Sequence, residues 1–322
     1  MRDLSVLPFV TAVEVHDAVS YRTAVETLES ALLTGTATAH TPLRTHTELP
    51  DGHLLYMPSL VDDYLGVKLA SVSPGNPARG MPRIQGLMML YDGATHEPRA
   101  ILDAEGLTVL RTAALSALAV RHLTPEDASH LVVFGSGPQA RGHVEAIRAV
   151  RPLTKVTVVA RSLEPGQALV ERIRASGLSA ELGAASRVAD ADVIACCTST
   201  STPLFDSSLV GNSATVVAMG SHSPEAREVD TALVRRASVI VETRASAFAE
   251  AGDVILAYRD GVPHDEAIDG ELADILDGGF LQTSRPRLFK GVGEAWADVA
   301  VAVEAAKALG ILERSASNAV AG

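Results

Sequence analysis

The chain has 322 residues with 39 acidic and 27 basic side chains, which give a formal net charge of −12 at pH 7. This length predicts two domains, and the 47% of apolar residues suffices for sizeable cores. The acidic balance, without a run of Lys or Arg, argues against a nucleic-acid partner. No apolar stretch approaches the roughly 20 residues that span a bilayer, and the N-terminal segment lacks a signal-peptide pattern. We therefore expect a soluble, cytoplasmic protein with no nucleic-acid or membrane partner.

The first part of the chain mixes strands with a long helix. Residues between Arg44 and Asp103 suggest strands and turns, with Gly and Pro at 74–82. The segment 108–122 predicts a helix because its Ala and Leu positions form a wide apolar surface. Near the C-terminus, 294–310 predicts another strong helix.

The middle of the chain alternates apolar runs with helical segments. The runs are rich in Val, Ile and Ala and lie at 130–135, 155–160, 191–197, 214–219 and 237–242. Segments with helical spacing, such as 138–150 and 164–177, separate them. Continuous apolar runs between helices are typical of a parallel sheet covered on both faces. This region is therefore predicted to be a doubly wound α/β domain.

The two cysteines, Cys196 and Cys197, are adjacent in one of these apolar runs. Two neighbouring thiols provide neither a disulfide framework nor a cysteine-based metal site. We expect them to be buried structural thiols, and we predict no metal site.

A glycine-rich turn directly follows the first apolar run of the middle region. It reads GSGPQA and has the form G-x-G-x-x-A between a strand and a helix, the context that gives this motif its meaning. The first glycine permits a tight turn, the second lets the backbone approach a pyrophosphate, and the alanine keeps helix and strand close. We therefore predict a dinucleotide-binding site that comprises Gly135, Ser136, Gly137, Pro138, Gln139 and Ala140.

The end of the second apolar run bears on the choice of cofactor. A carboxylate there binds the ribose hydroxyls of NAD, whereas a basic residue accommodates the 2′-phosphate of NADP. Arg161 and Ser162 occupy this position. The sequence therefore favours NADP(H), with NAD still open; the alternative interpretation of Arg161 is a solvated surface residue.

Three basic residues of the first part are candidates for substrate binding, namely Arg44, Lys68 and Arg111. Arg111 lies in the apolar helix, where an unpaired charge would be costly to bury, so we expect it to face an anion or an internal carboxylate. Taken singly, each of the three is more readily structural. Taken together, they predict a clamp for a carboxylate.

Several segments carry a resemblance to a known family. GVKLASVSPGNPARGMPRIQGLMMLYD, GLTVLRTAALSALAVRHL, GSGPQA and GSHSPEAREVD occur in that order, and together they closely resemble the ornithine cyclodeaminase/mu-crystallin family. The resemblance extends from about Arg44 to the C-terminal helix. It implies a homodimer with a substrate-binding and dimerisation domain over 1–125 and 300–322, and a Rossmann domain over 126–299.

The resemblance also implies roles for individual residues. Arg44, Lys68 and Arg111 match the residues that hold the substrate carboxylate beside the nicotinamide ring. The carboxyl ends of the Rossmann strands would place the nicotinamide near Thr198, Met219 and Gly220, and Thr112 joins this predicted cofactor set.

One position departs from the cyclodeaminases of the family, which carry an aspartate in the loop after the fifth Rossmann strand. Here His222 takes its place in Met219-Gly220-Ser221-His222. A carboxylate suits the deprotonation of an amine and the holding of a remote ammonium, whereas an imidazole does not. Reduction of a cyclic imine asks only for an oriented carboxylate, a hydride and a proton. His222 or Lys68 is the predicted proton source; a loop histidine bonded to backbone and a purely clamping lysine are the alternatives.

The predicted activity is therefore an NADP(H)-dependent reduction of small cyclic ketimines or α-imino acids, such as 1-pyrroline-2-carboxylate or 1-piperideine-2-carboxylate. The rival activities are those of an ornithine or lysine cyclodeaminase and of an alanine-type dehydrogenase. A non-catalytic NADPH-binding protein and an enzyme acting on a larger amino-acid conjugate also stay open. Three residues depart from the family pattern. Arg83 adds a cation near the expected site, which would suit a substrate with an extra negative group; the alternative is a solvated turn residue. Gly291 and Trp296 bear on local cofactor contacts.

Overall fold

The computed structural model describes residues 6–276 and 284–313. The chain folds as two compact units, the first formed by residues up to Arg111 together with those from Glu294 onward, and the second by Thr112–Gly293. Both boundaries precede the positions 125 and 299 expected from sequence. The first lies inside a continuous helix, and the second lies just before the last helix begins. Residues 314–322, the end of the predicted first domain, lie outside the described residues.

The helices of the described residues agree with the four helical segments predicted from sequence, 108–122, 138–150, 164–177 and 294–310. In chain order they are α1 (Ala12–Ala18), α2 (Tyr21–Leu33), α3 (Thr36–Ala39), α4 (Ala104–Leu123), α5 (Pro138–Arg148), α6 (Leu163–Ala175), α7 (Thr231–Arg236), α8 (Arg244–Glu250), α9 (Gly252–Arg259) and α10 (Ala295–Ala308). Helix α10 is rich in Ala and Val and is buried on almost every side, as expected for a helix without a polar face.

The strands of the described residues form two separate sheets. In chain order they are β1 (Phe9–Val10), β2 (Thr45–Leu49), β3 (Gly52–Val61), β4 (Tyr64–Val72), β5 (Ile84–Asp92), β6 (Pro98–Asp103), β7 (His130–Phe134), β8 (Lys155–Val159), β9 (Ser179–Leu182), β10 (Val193–Cys196), β11 (Thr215–Ala218), β12 (Ser238–Val241), β13 (Gly270–Glu271) and β14 (Arg287–Lys290).

The sheet of the first unit has the order β1-β6-β5-β4-β3-β2 in the described residues. Its neighbours are antiparallel, except that β1 runs parallel to β6. Lys68 on β4 is paired with Met57 on β3 and Met88 on β5, so these side chains share a face. Helix α10 packs on that face, and a Cβ added to Gly66 would lie only 2.6 Å from Val299. Gly66 therefore allows α10 to approach the sheet closely enough for polar side chains of both elements to meet.

The opposite face of this sheet is apolar and partly open. Tyr56, Leu69 and Leu87 are paired in register across β3, β4 and β5 and therefore share this face. Tyr56 is 46% exposed and Leu87 is 43% exposed. Leu54, two residues from Tyr56 on the same strand, is 39% exposed. The first unit thus has one sheet face covered by its own helix and a second with large exposed apolar side chains.

The sheet of the second unit is parallel throughout and has the order β13-β12-β14-β11-β10-β7-β8-β9 in the described residues. The chain moves outward from β7 through β8 to β9 and then returns to β10 on the other side of β7. Ligands of doubly wound sheets bind at such a reversal, outside the carboxyl ends of the strands. The predicted Rossmann-type fold class is confirmed, and the five predicted strands correspond to β7, β8, β10, β11 and β12. Among the described residues, no helix is both long and apolar enough to cross a membrane.

Candidate functional site

The first unit contains a buried cluster of charged side chains. Lys68 donates from Nζ to Oδ2 of Asp298 at 2.6 Å, and Arg111 donates from Nε to Oδ1 at 3.0 Å. Lys68 and Arg111 are 3% and 4% exposed, and Asp298 is fully buried. Strand β4, helix α4 and helix α10 each supply one of these groups. The internal carboxylate expected to face Arg111 is therefore Asp298.

The described contacts of this cluster place two cations on one carboxylate. The buried Nη1 atom of Arg111 has no hydrogen-bond partner among the residues that the structure describes. The charge of Arg44, just before β2, also acts on Lys68. A buried, unpaired guanidinium nitrogen is costly unless a ligand accepts its hydrogen bond. The cluster is thus suited to bind one anionic group.

The environment of Lys68 makes its proton labile near neutrality. Burial lowers the pKa of Lys68 from 10.5 to about 7, and the nearby charges of Arg111 and Arg44 act in the same direction. Asp298 opposes them, because its charge and its hydrogen bond favour the ammonium form. Near neutral pH the ammonium group of Lys68 can therefore attract an anion, and it can also donate its proton.

The glycine-rich turn of the second unit has the geometry of a phosphate-binding turn. Gly135 has φ of +111°, and an added Cβ would lie 2.6 Å from the carbonyl oxygen of Cys197 at the end of β10. Around Gly137, in contrast, an added Cβ meets no described atom within 4 Å. Helix α5 starts with Pro138, and Gly137 offers no side-chain cap. Its first N–H groups are therefore available to an anion that approaches Gly137.

The end of β8 presents a second feature suited to an anion. Arg161 and Ser162 are exposed, and Ser162 is the N-cap of α6 but makes no side-chain capping bond within the described structure. The guanidinium, the hydroxyl and the start of α6 thus lie next to each other in the chain. This donor set fits a phosphate group.

Glu228 joins two loops that sequence analysis assigned to the cofactor. One carboxylate oxygen accepts the N–H and hydroxyl of Thr198 at 2.8 and 2.7 Å. The other accepts the N–H of Gly220 at 2.7 Å. A Cβ on Gly220 would lie 1.9 Å from the carbonyl oxygen of Thr198, so this close approach requires glycine. Glu228 is fully buried, and burial raises its pKa.

The loop that contains His222 is anchored by a buried ion pair. Lys290 on β14 lies 3.1 Å from Asp253, and both side chains are fully buried. Lys290 also donates to the carbonyl oxygen of Ser221, and Asp253 accepts the N–H of Glu228 at 2.7 Å. His222 itself is partly exposed. The backbone on one side of His222 is thus fixed.

A comparison with protein families agrees with this architecture. The model of the ornithine cyclodeaminase/mu-crystallin family matches residues 6–307. The chain belongs to this family. The resemblance predicted from sequence is therefore confirmed.

Relatives within the family carry specific activities in their names. A Delta(1)-pyrroline-2-carboxylate reductase from Bacillus cereus is 34% identical over 273 residues, 81% of this chain and 84% of the relative. A Delta(1)-pyrroline-2-carboxylate/Delta(1)-piperideine-2-carboxylate reductase from Azospirillum brasilense is 35% identical over 259 residues, 80% and 81% of the two chains. The structure of Delta(1)-pyrroline-2-carboxylate reductase from Thermococcus litoralis in complex with NADH and L-proline superposes with a TM-score of 0.89 at 27% identity, covering 94% of this chain and 97% of that one.

Two of the residues that depart from the family pattern, Gly291 and Trp296, have packing roles in the structure. A Cβ on Gly291 would lie 2.5 Å from the sulfur of Met219, so the glycine makes room for a predicted cofactor residue. Trp296 is buried and donates its indole N–H to Glu294 at 3.0 Å. Arg83 is exposed.

The remaining predicted residues occupy different environments. Thr112 is buried on α4. Cys196 is fully buried, whereas Cys197 is only partly buried, so the expectation of two buried thiols holds for the first alone. The difference arises because Cys197 follows the last residue of β10. The described residues contain no cluster of His, Cys, Asp or Glu arranged to hold a metal ion.

Two acidic residues that organise these features, Asp298 and Glu228, were not predicted from the sequence. Asp298 left a weak signal, since it is an isolated acid within the apolar run AWADVAVAV. Glu228 lies within the GSHSPEAREVD segment that supported the resemblance. Its contacts with Thr198 and Gly220 join loops that follow different strands, and no spacing rule predicts them.

Proposed function

We propose that this chain is a cytoplasmic, NADP(H)-dependent reductase of small cyclic ketimines, with 1-pyrroline-2-carboxylate or 1-piperideine-2-carboxylate as substrate. The observation that carries this proposal is the buried cluster in which Lys68 and Arg111 share Asp298, while Arg111 Nη1 has no hydrogen-bond partner among the described residues. The names of the related reductases support the same substrate class. The cluster binds the carboxylate that both ketimines carry next to the C=N carbon.

Carboxylate binding is assigned to Arg111, Lys68 and Arg44. The Nη1 atom of Arg111 donates to one carboxylate oxygen, because its Nε is already engaged by Asp298. A charge-assisted hydrogen bond of this kind is worth about 1.5–3 kcal/mol. Lys68 and Arg44 add positive potential, which disfavours substrates that lack a carboxylate.

Dinucleotide binding is assigned to the second unit. Open space at Gly137, the uncapped start of α5 and the tight turn at Gly135 fit a pyrophosphate. When bound, the reduced nicotinamide supplies a hydride to the C=N carbon. Glu228 holds the Thr198 and Gly220 loops in place for the nicotinamide half, and Thr112 and Met219 complete the proposed set.

The preference for NADP(H) over NAD(H) is assigned to Arg161 and Ser162. Both are exposed at the end of β8, and the start of α6 adds an uncapped helix N-terminus. A 2′-phosphate would find a guanidinium, a hydroxyl and backbone N–H groups there. At the position where NAD-binding sites carry a carboxylate for the ribose hydroxyls, this chain has Arg161.

The proton for the ring nitrogen is assigned to Lys68, with His222 as the second candidate. A proton donor is most effective when its pKa lies near the working pH, and the pKa of Lys68 is about 7. His222 replaces the aspartate that serves amine chemistry in cyclodeaminases, which favours reduction of an existing C=N bond. The product is the corresponding cyclic amino acid.

A substrate panel tests the proposed function. Purified protein should oxidise NADPH with 1-pyrroline-2-carboxylate or 1-piperideine-2-carboxylate and do so faster than it oxidises NADH. Release of ammonia from ornithine or lysine, or reduction of NADP⁺ by alanine, would favour the cyclodeaminase or dehydrogenase alternatives. Tight NADPH binding with no turnover of any member of the panel would favour the non-catalytic alternative.

We also propose that the protein is a homodimer that buries the open face of the first sheet. Tyr56, Leu69 and Leu87 lie together on that face and are partly exposed, and monomeric proteins rarely expose large apolar patches. Leu87→Glu should shift the protein to monomers in analytical ultracentrifugation. Leu163→Glu, a matched change of a 75% exposed leucine on α6, should leave the dimer intact. Unchanged dimers with Leu87→Glu would contradict this interface.

A further inference from the structure

Asp298 contacts two of the residues assigned to the substrate carboxylate, Lys68 and Arg111, but has itself no assigned contact with substrate or dinucleotide. It lies in the first turn of α10, is fully buried and is surrounded along the helix by Ala and Val. Burying a carboxylate is costly unless cations and hydrogen bonds compensate it. Here each oxygen is used by a different cation, Oδ2 by Lys68 and Oδ1 by Arg111.

These two contacts constrain the cations in different ways. Because Asp298 engages Arg111 at Nε, it orients the guanidinium plane and leaves Nη1 for another acceptor. The 2.6 Å contact with Lys68 fixes the ammonium group on the sheet face that packs against α10. One residue on α10 therefore determines the positions of groups carried by β4 and α4.

Asp298 also opposes the groups that favour loss of the Lys68 proton. The charged groups that face Lys68 in the described residues are Asp298 from α10, Arg111 from α4 and Arg44 from the segment before β2. The residues paired with Lys68 on the neighbouring strands, Met57 and Met88, do not titrate. Burial and both arginines favour the neutral amine, whereas Asp298 stabilises the ammonium through its charge and its hydrogen bond.

We propose that Asp298 is a positioning residue that aligns Lys68 and Arg111 for the substrate carboxylate and keeps Lys68 protonated near neutral pH. This inference rests on the proposed function for its catalytic meaning, but its electrostatic part is independent of turnover. With Asp298 neutralised, Lys68 would lose its proton at a lower pH. Carboxylate binding and proton donation would then weaken together, while dinucleotide binding would not change.

The experiment is a titration of Lys68 by NMR in protein labelled with ¹³C at lysine Cε. The chain has four lysines, Lys68, Lys155, Lys290 and Lys307, so Lys68→Met assigns the resonance. The titration midpoint of the wild type should be near 7. In Asp298→Asn it should fall by about one unit or more, whereas Asp298→Glu should restore most of the shift. Glu304→Gln, which removes a carboxylate elsewhere on α10, is the matched control.

Kinetic measurements on the same variants give the second readout. In Asp298→Asn, kcat/KM for 1-pyrroline-2-carboxylate should start to fall at lower pH than in the wild type and be about tenfold lower at pH 7.5. The Kd for NADPH should be unchanged, because the dinucleotide is bound by other residues. An unchanged Lys68 midpoint and unchanged KM would overturn the proposal.

The outcomes also separate the two proposals. If the wild type reduces no ketimine, the proposed function fails, but the NMR midpoints still report on Asp298. If Asp298→Asn does not fold, adding Lys68→Met should restore folding, because it removes one of two unpaired buried cations. A double variant that also fails to fold would assign Asp298 to helix packing and contradict the inference.

Discussion

Replacing Lys68 by Met should stabilise the protein at pH 6, although the residue is proposed to bind substrate. Lys68 and Arg111 share the carboxylate of Asp298 in the described contacts. Lys68→Met leaves one buried cation on one buried carboxylate and fills similar space without charge. Removing one partner of a simple buried pair would instead destabilise by about 3–5 kcal/mol.

The size of the effect follows from the pKa of Lys68, which burial lowers from 10.5 to about 7. The difference, 10.5 − 7 = 3.5 units, corresponds to about 5 kcal/mol. Because the folded-state pKa is the lower one, the unfolded chain binds more protons between pH 7 and 10.5. The free energy of unfolding of the wild type therefore rises with pH across this window. Below pH 7 it is reduced by the full cost of burying the Lys68 ammonium, about 5 kcal/mol. The advantage of the variant should be about 5 kcal/mol at pH 6 and about 2 kcal/mol at pH 9.

Thermal unfolding at pH 6 and pH 9 measures this difference. We expect the Tm of Lys68→Met to exceed that of the wild type by roughly 5–10 °C at pH 6 and by clearly less at pH 9. Lys307→Met, on α10 but outside the cluster, should show no such pH-dependent difference. A Lys68→Met variant that is less stable than the wild type at pH 6, or a Tm difference equal at both pH values, would refute the reasoning.

Three further variants test the dinucleotide site. Arg161→Asp should reverse the preference for NADPH over NADH in kcat/KM by at least about tenfold, whereas Arg172→Asp, farther along α6, should not. An unchanged preference in Arg161→Asp would remove Arg161 from the site. Gly137→Ala should keep the wild-type Tm but weaken NADPH binding in a fluorescence titration, because the added methyl group meets no protein atom but blocks the pyrophosphate. Gly211→Ala, which also points into open space, is its control, and equal NADPH affinity in both would contradict the assignment. Glu228→Gln should lose one acceptor, with a cost of about 1–3 kcal/mol, and raise the Kd for NADPH; wild-type affinity would show that Glu228 does not order the cofactor loops.

Local pattern was enough to predict most of the second unit. Strands such as β7 and β11 are buried on both faces and appear in the sequence as continuous apolar runs. These runs predict both the strands and their order along the chain. The short strands β9 and β14 were not predicted, because their sequences, SAEL and RLFK, each include charged side chains and span four residues. Their place in the sheet comes from pairing with neighbours, which a local pattern does not report.

The candidate site was predictable in its residues but not in its connections. The cost of burying Arg111 predicted an anionic partner, yet that partner lies 187 residues away on α10. Lys68 is 230 residues from the same carboxylate. Contacts between residues so far apart in the sequence depend on how β4, α4 and α10 pack. Sequence spacing does not predict that packing. The Glu228 contacts with Thr198 and Gly220 were missed for the same reason.

The most direct test of the account follows the hydrogen that reaches the substrate. The protein is incubated with 1-pyrroline-2-carboxylate and NADPH that carries deuterium at the transferable C4 position, and the product is analysed by mass spectrometry and NMR. We predict proline with one deuterium at C2, formed in proportion to the NADPH consumed. Absence of NADPH oxidation with both 1-pyrroline-2-carboxylate and 1-piperideine-2-carboxylate, or proline without deuterium at C2, would contradict the assignment of this chain as a ketimine reductase.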